Sequence, residues 1–213
     1  MKKVLAILGD FYHPYEWVKA SLTKAVSLMD EEVDLIEVKV DELMDQLATQ
    51  PDAVILFKED RVNPQDEQIY TWMTEEVEAA IAQYVADGGG WLAWHSGLAS
   101  YSTEGKYTQM LKGSFEYHPV LHQLVQYKST KGAFVEDVNF EIRDEHYFVR
   151  CNTEETSVFL TSESVDGKSI AGWSHRFGEG CVCCLTPAHN QEELLHPEFL
   201  RVLEKSISLV LSE

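Results

Sequence analysis

Three short apolar runs, at residues 4–8, 53–57 and 91–95, mark the first half of the chain, and only the last ends on a polar residue, His95. Runs of this length between turn residues predict strands covered on both faces, as in a parallel sheet. Residues 33–38 alternate instead (Val33-Asp34-Leu35-Ile36-Glu37-Val38), which predicts a strand nearer the sheet edge. Between these runs the apolar positions recur at spacings of three and four. Val18, Leu22, Ala25 and Met29 form one stripe and Met73, Val77, Ala80, Ile81 and Tyr84 another, each the core face of a helix. Residues 42–47 allow only a short helix, and Gly88 supplies a left-handed cap to the helix before it. Strand and helix alternating in this way predict right-handed crossovers and a mostly parallel, doubly wound α/β sheet.

The second half reads differently. Residues 104–112 suit a helix and 113–119 a loop, followed by strands over 121–127, 138–142, 158–161, 170–173 and 182–185. The last helix carries Leu195, Phe199, Val202, Ser206 and Val210 on one stripe, so it must pack back onto the first half. The later strands are therefore expected to extend the first sheet in antiparallel fashion, with 1–213 forming a single domain.

The stretch Gly88-Gly89-Gly90-Trp91-Leu92-Ala93-Trp94-His95-Ser96-Gly97 organises the rest. A sharp strand-to-helix elbow admits only small residues two positions either side of its apex. Ala93 and Gly97 meet that condition around His95, whereas Ser96 would have Trp94 in its flank. The apex is then an imidazole, at the sheet edge where α/β folds bind ligands. A hydrolase built on Ser96 would need a base within hydrogen-bond distance of its hydroxyl.

Charge narrows the field. With 36 Asp and Glu against 17 Lys and Arg, the net charge of −19 disfavours nucleic acid and anionic membrane as partners. No apolar stretch approaches the length of a membrane span, and residues 1–8 lack a signal-peptide cleavage pattern, so a cytoplasmic protein is expected. Cys181, Cys183 and Cys184 crowd one strand, with Cys151 apart. Reduced core thiols fit better than a Cys-x-Cys-Cys zinc site, which would lack its second pair. No Walker-type or Gly-x-Gly-x-x-Gly loop is present, so no nucleotide cofactor is expected.

Three of eight histidines, His13, His95 and His189, follow predicted strands at their carboxyl ends. Neutral imidazoles converging with a carboxylate suit a divalent metal such as zinc; Glu145 is the candidate carboxylate, with Asp10 and Glu16 in reserve. Adjacent carboxylates at Asp144-Glu145 predict one raised pKa for acid-base work, or alternatively a turn capped by Asp144. Tyr147 would offer its hydroxyl to a ligand or to Glu145. Trp173, Trp94 and Tyr101 are either stacking platforms for sugar rings or core, with Trp173 the better platform because Ser174-His175 follows it. His122 reads as a surface strand residue, His146 as exposed, and His175 and His196 as structural. The exposed-aromatic candidates Phe11, Tyr12 and Tyr15 make a homo-oligomer plausible.

Taken together, Gly88-Gly89-Gly90, Trp94-His95-Ser96-Gly97, Phe115 with His118-Pro119, Asp144-Glu145 with Tyr147, Ala171-Gly172-Trp173, Gly178-Glu179-Gly180 and Ala188-His189 resemble the ThuA-like, or trehalose-utilisation, family. The resemblance spans nearly the whole chain. It implies a flavodoxin-like three-layer α/β/α sandwich of the class I glutamine amidotransferase type. His95 matches the elbow cysteine of those amidotransferases, so glutaminase chemistry, which needs a thiolate there, is not expected. Within the family's Phe-x-x-His-Pro pattern, His118 is implied as a substrate or general-acid residue. The resemblance implies a small-molecule sugar ligand, as disaccharide or keto-sugar. The expected site has His95, Glu145 and His118 as catalytic groups, His13, His95 and His189 as metal ligands, and Trp173, Tyr147, Ser96 and Tyr101 as substrate contacts. A catalytically silent sugar- or partner-binding module on the same fold is the alternative.

Overall fold

In the computed structural model, which describes residues 1–212, strand and helix alternate through the first half as the pattern predicts. Strands β1 (Lys2–Leu8), β2 (Val33–Glu37), β3 (Ala53–Phe57) and β4 (Gly90–Trp94) are interleaved with helices α1 (Tyr15–Val26), α2 (Leu43–Leu47) and α3 (Glu75–Ala86). A 3₁₀ turn over His95–Leu98 and helix α4 (Lys106–Leu111) lead into the strand-rich half. That half comprises β5 (Gly113–Tyr117), β6 (Gln123–Ser129), β7 (Asn139–Asp144), β8 (Phe148–Cys151), β9 (Ser157–Ser164), β10 (Gly167–Phe177) and β11 (Gly180–Leu185). Helices α5 (Gln191–Leu194) and α6 (Pro197–Leu211) follow.

Nine strands form one sheet in the order β2-β1-β3-β4-β11-β10-β9-β6-β7. Pairing is parallel from β2 across to β11 and antiparallel beyond it. This is the flavodoxin-like α/β arrangement with an antiparallel extension, and the alternating strand β2 lies at its outer edge.

Side-chain parity divides the core into two layers, because successive residues of a strand face opposite ways. Val4, Ala6, Ile55, Phe57, Leu92, Trp94, Cys183 and Leu185 share one cluster with residues of α1 and α6. Leu5, Ile7, Val54, Leu56, Trp91, Ala93, Val182 and Cys184 share the other with residues of α2, α3 and α4. Cys183 and Cys184 thus sit on opposite faces, and all four cysteines are free thiols. The Cys-x-Cys-Cys run gathers no metal-ligand group among the described residues.

Two segments depart from expectation. Residues 113–117, read as loop, form β5, which pairs antiparallel with β8 in a small separate ribbon. Polar Ser114 and Glu116 hide this strand in the sequence, since it rests on one partner only. Strands β9 and β10 also run several residues past their apolar centres into exposed positions.

At the end of β4 the chain turns on His95, whose φ of 49° lies in the left-handed region that residues with a Cβ seldom adopt. Gly97 fits against the backbone of β3: a Cβ on it would stand 2.2 Å from the Leu56 carbonyl oxygen. That oxygen belongs to a buried central strand and cannot step aside. Gly97→Ala is therefore expected to lower unfolding stability by about 1–3 kcal/mol, as overpacking of a tight contact does. Urea denaturation measures this, and an unchanged midpoint would contradict the contact.

Candidate functional site

The loops at the carboxyl edge of the parallel strands bring together residues remote in sequence. His13 follows β1, His95 directly follows β4, Glu145 follows β7 and His189 follows β11. One ligand atom from each of these four lies within 4.8 Å of all the others. His189 Nδ1 is 3.0 Å from His13 Nε2 and 3.3 Å from His95 Nε2. Glu145 Oε2 lies 3.3 Å from His189 Nδ1 and 3.5 Å from His95 Nε2.

The outward nitrogens of two rings are already engaged. His95 Nδ1 donates to the Thr186 carbonyl at 2.6 Å; a carbonyl only accepts, so the proton sits on Nδ1 and Nε2 presents a lone pair inward. His13 Nδ1 likewise donates to Asp10 Oδ1 at 2.6 Å. The same Asp10 oxygen accepts the amides of Tyr12 and His13, and its other oxygen accepts the amide of Glu59. Face-on packing holds the His95 ring, with Tyr147 stacked on it at 4.2 Å and 22° and Phe57 at 5.5 Å and 30°.

Asp144 ties two of the four residues together. Its Oδ1 accepts the main-chain amides of both Glu145 and His189 at 2.9 Å, and its Oδ2 accepts the Tyr127 hydroxyl at 2.7 Å. The carboxyl is fully buried, and that burial raises its pKa; the cause is desolvation, where the sequence suggested repulsion from Glu145. Burial also acts against the charged form of Glu145, but His189 above all outweighs it and holds this carboxyl well below the usual range. For His95 burial dominates and lowers the pKa; for His189 burial also opposes charging, yet Glu145 prevails and the net direction is upward.

A cavity of about 350 Å³ opens beside the cluster, lined by His13, Ser96, His118, Glu145, Tyr147 and His189 among others. His118 is more than a third exposed, donates from Nδ1 to the Pro119 carbonyl at 2.9 Å and sets Nε2 3.3 Å from Glu145 Oε1. Ser96 is buried in the wall beside the Asp10 carboxylate, and no histidine among the described residues is hydrogen-bonded to its hydroxyl.

Other expected contacts lie elsewhere. Trp173 is fully buried, with Nε1 donating to the Leu111 carbonyl at 2.8 Å, so no face of the indole is free to stack on a sugar. Tyr101 is buried against Trp72 and Tyr107 and donates its hydroxyl to the Lys58 carbonyl, outside the cavity lining. Trp94 is core and donates to the Pro187 carbonyl. Glu16 is exposed on α1 and outside the cluster. His146, expected at the surface, is buried with its ring nitrogens at 2.8 and 2.9 Å from the Ser164 and Ser162 hydroxyls. His122 precedes β6 and rests against the His189 ring at 4.9 Å, with Asn190 donating to its Nδ1.

Four lining residues are not picked out one by one in the sequence: Glu59, Arg61, Ala99 and Ser100. The sequence reads the polar loop 58–68, directly after the apolar run 53–57, as a substrate-facing loop, and it faces the cavity through Glu59 and Arg61. Next to Glu59, Asp60 is buried, and its carboxyl is pushed up to about 6, chiefly by desolvation, with the amide of Met73 offsetting part of it.

A family model described as ThuA, trehalose utilisation, matches residues 8–209. Among solved structures, a ThuA-like protein from Parabacteroides merdae superposes with a TM-score of 0.73 at 14% identity, covering 99% of this chain and 90% of the other. A cytoplasmic protein from Salmonella typhimurium LT2 gives 0.67 at 15% identity, covering 98% and 99%. A β-galactosidase from Rahnella sp. R3 gives 0.64 at 17% identity, covering 96% of this chain but 31% of that one. No curated protein sequence matches the chain.

The Asp60 shift gives a pH dependence with a definite sign. The folded state keeps this proton up to about pH 6, whereas the unfolded chain releases it near its ordinary value of 3.8. The resulting stability is complete below pH 3.8 and lost as pH rises through about 6. Asp60→Asn is thus expected to gain on the wild type progressively between those limits in urea titrations at stepped pH. A difference that stays flat with pH would contradict it.

Proposed function

Because the chain belongs to the ThuA, or trehalose-utilisation, family, we propose that it is an enzyme of disaccharide or keto-sugar use whose His13–His95–Glu145–His189 cluster holds a divalent ion, zinc first. The observation that carries this reading is the proton count of the cluster. Two imidazole lone pairs and a carboxylate oxygen surround one His189 nitrogen, which has at most one proton to share. Such a set is short of positive charge, and a cation between the four atoms supplies it. Four of the six separations, at 3.0–3.5 Å, also suit neighbouring ligands of one tetrahedral ion, for which zinc–ligand distances of about 2.0–2.1 Å give edges of about 3.3 Å. Asp10 and the Thr186 carbonyl fix ring orientation and tautomer from behind, as outer partners of metal-bound histidines do.

A zinc ion bound there would polarise a sugar carbonyl or acidify a water. The chain's own residues supply the rest. Glu145 divides its two oxygens between the cluster and His118, coupling the metal pole to a proton carrier. His118, exposed at the cavity, is placed to give or take a proton at Nε2 on a sugar oxygen. Tyr147 keeps His95 in plane, and Ser96 offers a hydroxyl to the ligand. Glutaminase activity is not part of this reading, since an imidazole occupies the elbow. A cytoplasmic setting accords with four free thiols and the acidic charge; no described helix is long and apolar enough to cross a membrane.

Purified protein is expected to bind one equivalent of zinc by calorimetry and elemental analysis. His189→Ala should lose metal and turnover of unmodified or keto-disaccharides together while keeping its fold. Failure to bind zinc, manganese, cobalt, nickel or iron at micromolar concentrations would overturn the metal assignment, and sugar binding without turnover would favour the silent binding module. Asp10→Asn is expected to weaken zinc binding about 10–100-fold, the usual effect of losing such a partner. Because zinc displaces the His189 proton, affinity should rise with pH.

A further inference from the structure

Glu59 is a buried carboxylate, 2% exposed, in the wall of the same cavity. Its Oε2 accepts from Arg61 Nε at 2.7 Å and from the Ser100 hydroxyl at 2.9 Å, whereas its Oε1 is buried and receives no hydrogen bond. A buried charged acceptor left unmet is destabilising, so the arrangement is poor as a purely structural feature. The backbone around it is also under constraint. Ser100 reaches Glu59 from a φ of 69°, a left-handed conformation unusual for serine, and it lies five residues beyond His95, which has the same feature. Both residues belong to the short stretch that borders the cavity, where such conformations mark functional sites.

Resting on the carbohydrate reading above, we infer that Glu59, braced by Arg61 and Ser100, is a recognition subsite for a ring hydroxyl of a neutral sugar. An ionised carboxylate only accepts hydrogen bonds, so Oε1 selects a donor. A ligand hydroxyl that reaches it supplies the missing proton; a ligand carboxylate or phosphate has none to supply. The cavity, at about 350 Å³, stands at the small end of the range of about 300–1,000 Å³ for small-molecule sites, which suits one sugar ring with the remainder of a disaccharide outside. Glu59 therefore sets substrate class, and the imidazole cluster sets chemistry.

Glu59→Gln tests this. Arg61 and Ser100 both donate, so they retain the amide oxygen and turn the amide nitrogen toward the unmet position, converting acceptor to donor in nearly the same volume. The probes are trehalose, D-glucose, its single-deoxy analogues and D-glucuronate, titrated calorimetrically into zinc-supplemented full-length protein. Wild type is expected to bind trehalose or glucose, to bind one deoxy analogue at least tenfold more weakly, and to reject glucuronate. In Glu59→Gln the parent sugar should weaken at least tenfold and the gap to that deoxy analogue should close, with zinc affinity unchanged. Ser100→Ala, which keeps the carboxylate but loosens it, should show a smaller loss of the same kind. Sugars that bind Glu59→Gln as tightly as wild type, or a deoxy gap that persists in it, would overturn the assignment even if cluster variants abolish binding. No sugar binding by wild type would remove the carbohydrate reading and this subsite with it.

Discussion

The approach of Gly97 to the Leu56 carbonyl leaves no room for a side chain, and it dictates how the chain leaves the central strand. With that exit closed to anything larger, His95 takes a left-handed backbone and its ring lies between Phe57 and Tyr147, Nδ1 against Thr186 and Nε2 toward the cluster. A strand end is rigid because its neighbours are hydrogen-bonded on both sides, and β4 lies between β3 and β11. The imidazole inherits that rigidity, so the other side chains of the cluster converge on a fixed point rather than on a loop tip.

Around this point the electrostatics are those of a site short of protons. Asp10 has its pKa drawn down to about 2 despite burial, because His13 bonds to it, and Glu145 is held low chiefly by His189. Two carboxylates that remain charged in a buried place need compensation nearby, and the imidazoles alone supply it only in part. The net negative surface adds nothing local to this balance; the cluster differs from the rest of the acidic chain in being largely buried and converging.

Much of the fold was legible because the runs at 4–8 and 53–57 have one physical explanation, burial on both faces, and the helical stripes another. His13, His95 and His189 stood out because each follows a strand that the pattern exposes. Parity was less informative than it looked. His146 does point away from Glu145 and Tyr147, but away leads into a pocket of serine hydroxyls and not to solvent. Trp173 precedes polar residues, yet the side it faces is filled by Leu111 and its neighbours, which no local pattern encodes. Glu59 was hidden by its surroundings: one carboxylate among 36 acidic residues carries no mark of being buried.

Asp144 joins parts of the molecule that the topology keeps apart. It ends β7, the outermost antiparallel strand, yet it grips the amide of His189, which follows the innermost antiparallel-to-parallel junction at β11. One side chain thus spans the extension and the parallel layer and controls two of the four converging residues at once. The antiparallel extension is therefore part of the site: where β7 lies at the far edge of the sheet fixes where the main chain of Glu145 and His189 stands.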